Sequence, residues 1–155
     1  MLTKDGPKLL EYNARFGDPE AQIYMRLLET DLLDIIDAMI DGNLEKINIK
    51  WNNLASCNIV LCSGGYPGDY KKGFPISGIK EAEKNPDIII FHAGTKLDEN
   101  RNLVTNGGRV LGVSAVGNTL EEALATAYEA VEKIYFEGMH YRRDIGKRAL
   151  ELVKK

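Results

Sequence analysis

Asn106-Gly107-Gly108-Arg109-Val110-Leu111-Gly112-Val113-Ser114-Ala115-Val116-Gly117-Asn118-Thr119-Leu120-Glu121-Glu122 is the stretch that decides the fold class. Arg109–Val116 is a short apolar run between glycines, the pattern of a strand. Asn106-Gly107 stands between Leu103-Val104 and that run, a spacing that predicts a two-residue hairpin. Thr119-Leu120-Glu121-Glu122 is a capping box, in which hydroxyl and carboxylate satisfy the free N–H groups of a helix start. The helix it opens carries Leu120, Leu124, Ala127, Val131 and Ile134 on one face and stops at Gly138. Strands joined by hairpins and followed by an amphipathic helix make the class mixed, α+β.

Upstream the texture is the same. Ser56–Cys62 and Ile88–Ala93 are strands, and Gly64-Gly65-Tyr66-Pro67-Gly68 is a turn between them. Farther back, Asn43 to Asn53 is polar and asparagine-rich with Trp51 as its large anchor, which predicts a boundary and two domains, 1–50 and 51–155. In the first, Leu9–Ala14 alternates as a strand entered from Asp5-Gly6-Pro7. Gly17 breaks it. Asp18-Pro19 then predicts a helix with Asp18 as N-cap and Pro19 at its first position. A second helix over Asp31–Asp41 is stopped by Gly42. Downstream of Gly138, Asp144–Lys155 is a short amphipathic tail.

The chain has 155 residues, 44% hydrophobic and 28% charged, enough apolar material for a core. With 20 Lys and Arg against 23 Asp and Glu the net charge is −3, so nucleic acid is not an expected partner. The apolar stretch Ile88–Gly94 is far short of the ~20 residues a membrane span needs, and the first residues do not form a signal peptide. A cytoplasmic protein without a membrane partner is expected. Cys57 and Cys62 lie an odd number of strand positions apart, on opposite faces, and are expected as buried, reduced thiols. Two histidines, His92 and His140, are too few for a histidine-based metal centre.

The sharpest chemical pattern is Glu11-x-Asn13-x-Arg15. On a strand these side chains share one face at ~7 Å steps. Carboxylate and carboxamide oxygens suit Mg²⁺ or Mn²⁺, and a guanidinium beyond them suits charge developing on a phosphoryl or acyl phosphate. The same spacing also describes a solvated strand face with a Glu–Arg pair. Gly64–Tyr70 offers backbone amides to a phosphate, but it lacks the Lys-Ser/Thr of a P-loop and is better explained by a plain turn. Arg109 either binds an anion or caps a sheet edge.

Leu9-Leu10-Glu11-Tyr12-Asn13-Ala14-Arg15-Phe16-Gly17-Asp18-Pro19-Glu20 resembles the end of the ATP-grasp domain in the phosphoribosylamine–glycine ligases (glycinamide ribonucleotide synthetases). The resemblance continues through Gly64-Gly65-Tyr66-Pro67-Gly68-Asp69-Tyr70, Phe91-His92-Ala93-Gly94-Thr95, Thr105-Asn106-Gly107-Gly108-Arg109-Val110-Leu111 and Arg143-Asp144-Ile145-Gly146. It covers essentially the whole chain but only the C-terminal portion of the family enzyme. Its N-terminal domain, phosphate-covering loop and ATP-grasp lysines have no counterpart here. The implied fold is a C-terminal remnant of an ATP-grasp domain, strand plus helices, followed by a small, mainly antiparallel β domain with a packing helix. The implied reaction joins glycine to 5-phosphoribosylamine at the expense of ATP, through glycyl phosphate, in purine biosynthesis. Glu11 and Asn13 are the implied Mg²⁺ or Mn²⁺ ligands, Arg15 the stabiliser of the acyl phosphate, and Asp18, Thr95 and Arg109 the contacts to the ribonucleotide. Alone, such a fragment is expected to be inactive and, with a sheet edge and helix faces uncovered, to form a homo-oligomer through its first ~45 residues. Two other roles fit the same residues: a non-catalytic nucleotide- or phosphate-binding module, and a structural subunit of a split enzyme.

Overall fold

A computed structural model describes residues 1–12 and 14–153. The core is a three-stranded antiparallel sheet in the order β3-β7-β4, made of β3 (Ala55–Cys62), β4 (Ile88–His92) and β7 (Arg109–Gly117). The central strand β7 pairs Ala55↔Gly117 through Leu61↔Leu111 with β3 and Ile88↔Ala115 through His92↔Leu111 with β4. It is buried along nearly its whole length because it has a strand on either side and helices over both faces. A short helix, α3 (Ile79–Ala82), precedes β4.

One face of the sheet is covered by α4 (Leu120–Lys133), whose Ala123, Leu124, Ala127, Ala130 and Val131 are buried. Thr119 caps it as expected, its hydroxyl accepting from Glu122 N at 3.2 Å. Glu122 reaches back to Asn118 N at 2.9 Å, one residue before the cap. The small residues bring the helix close to the strands: a Cβ on Gly117 would lie 2.7 Å from Ala123 N. Ile59, Leu61, Val113, Val131 and Phe136 are fully buried between the two layers. Each contributes about 1.5–3 kcal/mol of transfer free energy. The chain closes with α5 (Lys147–Val153).

Cys57 lies on this core face, and its Sγ approaches Ala123 O at 3.3 Å. Cys62 is half-buried on the opposite side, and both are free thiols as expected. Burial pushes the Cys57 thiol up from 9.0 to about 11. Folding therefore favours the protonated form. That contribution is complete below pH 9 and is lost as pH climbs toward 11, where the unfolded thiol ionises first. Alkaline unfolding between pH 9 and 11 should soften in Cys57→Val, which removes the titrating group at nearly constant volume. An unchanged pH profile of the melting temperature would refute the assignment.

The opposite face is partly covered by α1 (Glu20–Leu27), followed by α2 (Leu32–Ile40), which is capped by Asp31 through Leu33 N at 2.8 Å. The α1 segment crosses the expected boundary to reach the sheet, and Arg26 Nη2 donates to Asp87 O at 2.8 Å. Much of the first 51 residues' apolar surface stays exposed, including Leu33, Met39, Ile40 and Trp51. No helix among the described residues is long and apolar enough to cross a membrane.

Three expectations are corrected. The stretch Leu9–Tyr12 is not a strand: only Leu2–Thr3 (β1) and Gly6–Pro7 (β2) pair, and Tyr12 is 87% exposed. Alternating side chains suit a strand, but a strand also needs a neighbour to exchange backbone hydrogen bonds, and no described strand lies beside this one. Second, α1 is capped at Pro19 without a side-chain bond, because the Asp18 carboxylate is engaged elsewhere.

The third correction concerns Asn106-Gly107. Leu103–Thr105 (β6) pairs with Thr95–Leu97 (β5), not with β7. A two-residue type I′ loop needs positive φ at both residues, and neither Asn106 nor Gly107 has it. The hairpin turn lies instead at Asp98–Asn102. There the Asp98 carboxylate accepts from Asn100 N at 2.9 Å and Asn102 N at 2.7 Å, and Arg101 takes φ 64. One long ribbon, β4–β5 out and β6–β7 back, is thus broken in the middle by Asn106-Gly107-Gly108. Across the break Gly94 N donates to Arg109 O at 2.8 Å and Asn106 N to Gly94 O at 2.7 Å.

Candidate functional site

Glycine is required where the ribbon breaks. A Cβ on Gly94 would stand 2.5 Å from Gly107 Cα and 2.6 Å from Arg109 O, so only a bare backbone permits the approach. Ser63, at the end of β3 and buried, fixes the far side: its N donates to Gly108 O and its Oγ to Gly107 O, both at 2.8 Å. The Tyr66 ring lies directly on Gly108. The loop that launches Arg109 is therefore held from three directions.

Arg109 leaves this loop toward the turn before α1. Its Nη2 meets Asp18 Oδ2 at 2.8 Å and its Nη1 donates to Asp18 O at 2.9 Å. The Asp18 carboxylate also accepts from Gln22 Nε2 at 3.3 Å. Side chains 91 residues apart are thus joined, and these are two of the three expected ribonucleotide contacts. Both are partly solvated, so the pair adds at most ~1 kcal/mol to stability. Its consequence is positional, since it places a guanidinium and a carboxylate together at the seam of the two expected domains. Cys62 lies near enough to sense it: burial raises its thiol pKa and the Arg109 charge opposes the rise.

Thr95, the third expected contact, begins β5 directly after Gly94, and its Oγ1 shares a hydrogen bond with His92 Nδ1 at 3.0 Å. It is thus adjacent along the backbone to the break at Arg109. Glu11 is exposed in the irregular stretch before α1. Arg15 is exposed too, its Nη1 donating to Phe16 O at 3.0 Å. Asn13 lies outside the described residues. Among the described residues no three His, Cys, Asp or Glu side chains gather as a metal-binding group. Magnesium habitually takes one or two protein carboxylates and completes its shell with water and phosphate. An exposed Glu11 fits that donor chemistry.

Ser63 and Tyr66 were not singled out from sequence. The signal available was a small hydroxyl residue ending an apolar strand directly before Gly-Gly, where backbone carbonyls of a neighbouring loop need a donor.

Residues 56–148 match the family model described as phosphoribosylglycinamide synthetase, C domain. The chain is 48% identical over 145 residues to the phosphoribosylamine–glycine ligase of Caldanaerobacter subterraneus subsp. tengcongensis, covering 94% of this chain and 34% of that protein. It is also 48% identical to the chloroplastic phosphoribosylamine–glycine ligase of Arabidopsis thaliana, covering 93% of this chain and 27% of that protein. A crystal structure of the phosphoribosylamine–glycine ligase from Thermotoga maritima superposes with a TM-score of 0.72 at 36% identity, over 93% of this chain and 34% of that one. The chain therefore spans about a third of the length of such relatives. By these likenesses the chain belongs to the phosphoribosylglycinamide synthetase C-domain family and corresponds to the C-terminal region of phosphoribosylamine–glycine ligases.

Proposed function

We propose that this chain supplies the C-terminal part of a cytoplasmic phosphoribosylamine–glycine ligase, an ATP-dependent carbon–nitrogen ligase. In the proposed reaction a glycine carboxylate oxygen attacks the γ-phosphorus of ATP, the bond to the bridging oxygen breaks, and ADP leaves. The amine of 5-phosphoribosylamine then attacks the carbonyl of glycyl phosphate. The amide forms, phosphate departs with the C–O bond pair, and the amine loses a proton.

The observation that carries this reading is the Asp18–Arg109 junction, within a chain that aligns along nearly its whole length with ligases. Asp18 and Arg109 are proposed to hold the ribonucleotide at the seam, with Thr95 beside them. Glu11 and Asn13 are the proposed ligands of Mg²⁺ or Mn²⁺, whose bound charge would neutralise the ATP phosphates. Arg15 is proposed to stabilise the oxygens of the acyl phosphate. The residues 1–50 are proposed as the end of an ATP-grasp domain, and their exposed apolar faces as the surface through which the isolated chain forms a homo-oligomer.

Positioning and electrostatics supply most phosphoryl-transfer catalysis, and the family's ATP-grasp lysines have no counterpart in this chain. The purified chain with ATP, glycine and 5-phosphoribosylamine is therefore expected to release no ADP above background. A chimera in which it replaces the corresponding region of a relative's complete ligase is expected to release ADP in a glycine-dependent way. A folded chimera without that activity would overturn the proposal, and glycine-dependent turnover by the chain alone would overturn the expected inactivity.

A further inference from the structure

Among the described residues, four buried side-chain atoms have no hydrogen-bond partner: Gln22 Oε1, Arg26 Nε, and both Oδ1 and Nδ2 of Asn58. All four belong to the two layers of one seam. Gln22 and Arg26 stand one turn apart on α1. Asn58, 7% exposed in β3, shares a strand face with Val60 and Cys62, away from α4. The two covers of the sheet differ accordingly: α4 buries five side chains on its face, whereas no residue of α1 is buried.

Buried polar groups are nearly always paired, and one left without a protein or water partner weakens the contact that buries it. Solvent does not reach any of these four atoms while α1 is in place. Burial outweighs the nearby Asp87 charge and lowers the Arg26 pKa, the mark of a guanidinium whose desolvation is incompletely offset. Lifting α1 gives water to all four atoms at once. The polar ties that hold it lie toward its ends. Before it stands the exposed Asp18–Arg109 pair, and at its end Arg26 Nη2 donates to Asp87 O and Asn52 N to Leu27 O at 2.9 Å.

We propose that α1 is a releasable cover, which leaves the sheet and returns while β3, β7, β4 and α4 stay folded. Pro19, its N-cap, edges a cavity of about 360 Å³ whose wall includes Asn58, Val60, Cys62 and Arg109. Release of α1 widens the entrance to this cavity and wets its Asn58 side. It needs neither nucleotide nor turnover, and so stands apart from the ligase reading.

The test is hydrogen exchange on the full chain, followed residue by residue by NMR, in the parent and two variants. Amides of α1 are expected to exchange at least ~100-fold faster than those of α4, through an opening smaller than global unfolding. Asn58→Val removes the unpaired carboxamide and keeps a branched side chain suited to a strand. It should hold α1 down: exchange in α1 slows by ~10-fold and the melting temperature rises. Fraying of α1 over an intact seam would not respond to a substitution in β3. Gln22→Met keeps the side chain's length and removes its carboxamide, at the loss of an exposed 3.3 Å contact to Asp18. It acts in the same direction and decides the matter if Asn58→Val does not fold. Labelling of Cys62 by iodoacetamide at fixed pH is expected to slow in Gln22→Met, with Cys57, on the α4 face, unlabelled in both proteins. Protection of α1 equal to that of α4, or exchange in α1 that is unchanged or faster in either folded variant, would overturn the release. An unchanged Cys62 rate would overturn its link to the cavity.

Discussion

Glu11→Gln, placed in the chimeric ligase, is expected to lower turnover by ~10²–10³-fold while leaving the melting temperature almost unmoved. The two halves of that expectation have different physical sources. Glu11 is exposed in an irregular segment outside the core, where any contact its carboxylate makes is worth no more than about 1 kcal/mol to folding. In the proposed reaction the same negative charge would hold a divalent cation, whose charge would offset that of the ATP phosphates. Replacing an anionic oxygen by a neutral amide of the same shape removes the charge and retains the volume. Steady-state ADP release with a parallel thermal melt checks both halves. A variant that melts early yet keeps full activity per folded molecule would make Glu11 a structural residue.

The second large effect is expected from Gly94→Ala, and it acts through the backbone. The new Cβ would be driven against Gly107 Cα and Arg109 O, neither of which is the end of a flexible side chain. Overpacking of this kind costs ~3 kcal/mol. It should also spread the two arms of the ribbon at the point where Arg109 begins. Two readouts are therefore expected to move together: a lower melting temperature, and an Arg109 Nε resonance that loses its sensitivity to Asp18→Asn. A Gly94→Ala protein with the parent's melting temperature would show that the close approach is not a constraint.

Sequence reasoning reached the parts of this fold whose signals are local. The capping box at Thr119, the apolar stripe from Leu120 to Ile134, the helix before Gly42 and the strands of the core sheet are all written in neighbouring residues. It failed where structure depends on what lies beside a segment. Leu9–Tyr12 alternates like a strand but has no strand neighbour, and Asn106-Gly107 has the composition of a tight turn but serves as the break in a ribbon. Glycine is ambiguous in this way because it satisfies either positive φ or close backbone approach, and only the second applies at Gly94 and Gly107. The meeting of Asp18 with Arg109 was likewise inaccessible to spacing; the family resemblance put both beside the ribonucleotide, and the tertiary fold joins them. Asn58 was legible in principle, as the one carboxamide inside the apolar run Cys57–Cys62.

The broken ribbon also orders the events of folding. Strands β4 to β7 follow one another in sequence, so Asp98–Asn102 can close first and the pairing can zip from Leu97↔Leu103 toward Ile88↔Ala115 with little loop entropy at each step. Strand β3 has no such advantage, because its partner β7 is the last strand of the ribbon and Ala55 must find Gly117 at its far end. Substitutions in the Asp98 turn should therefore slow folding, and those at the β3–α1 seam should chiefly speed unfolding. The seam that carries Asn58 and Asp18 is then the last part of the molecule to assemble and the first to open.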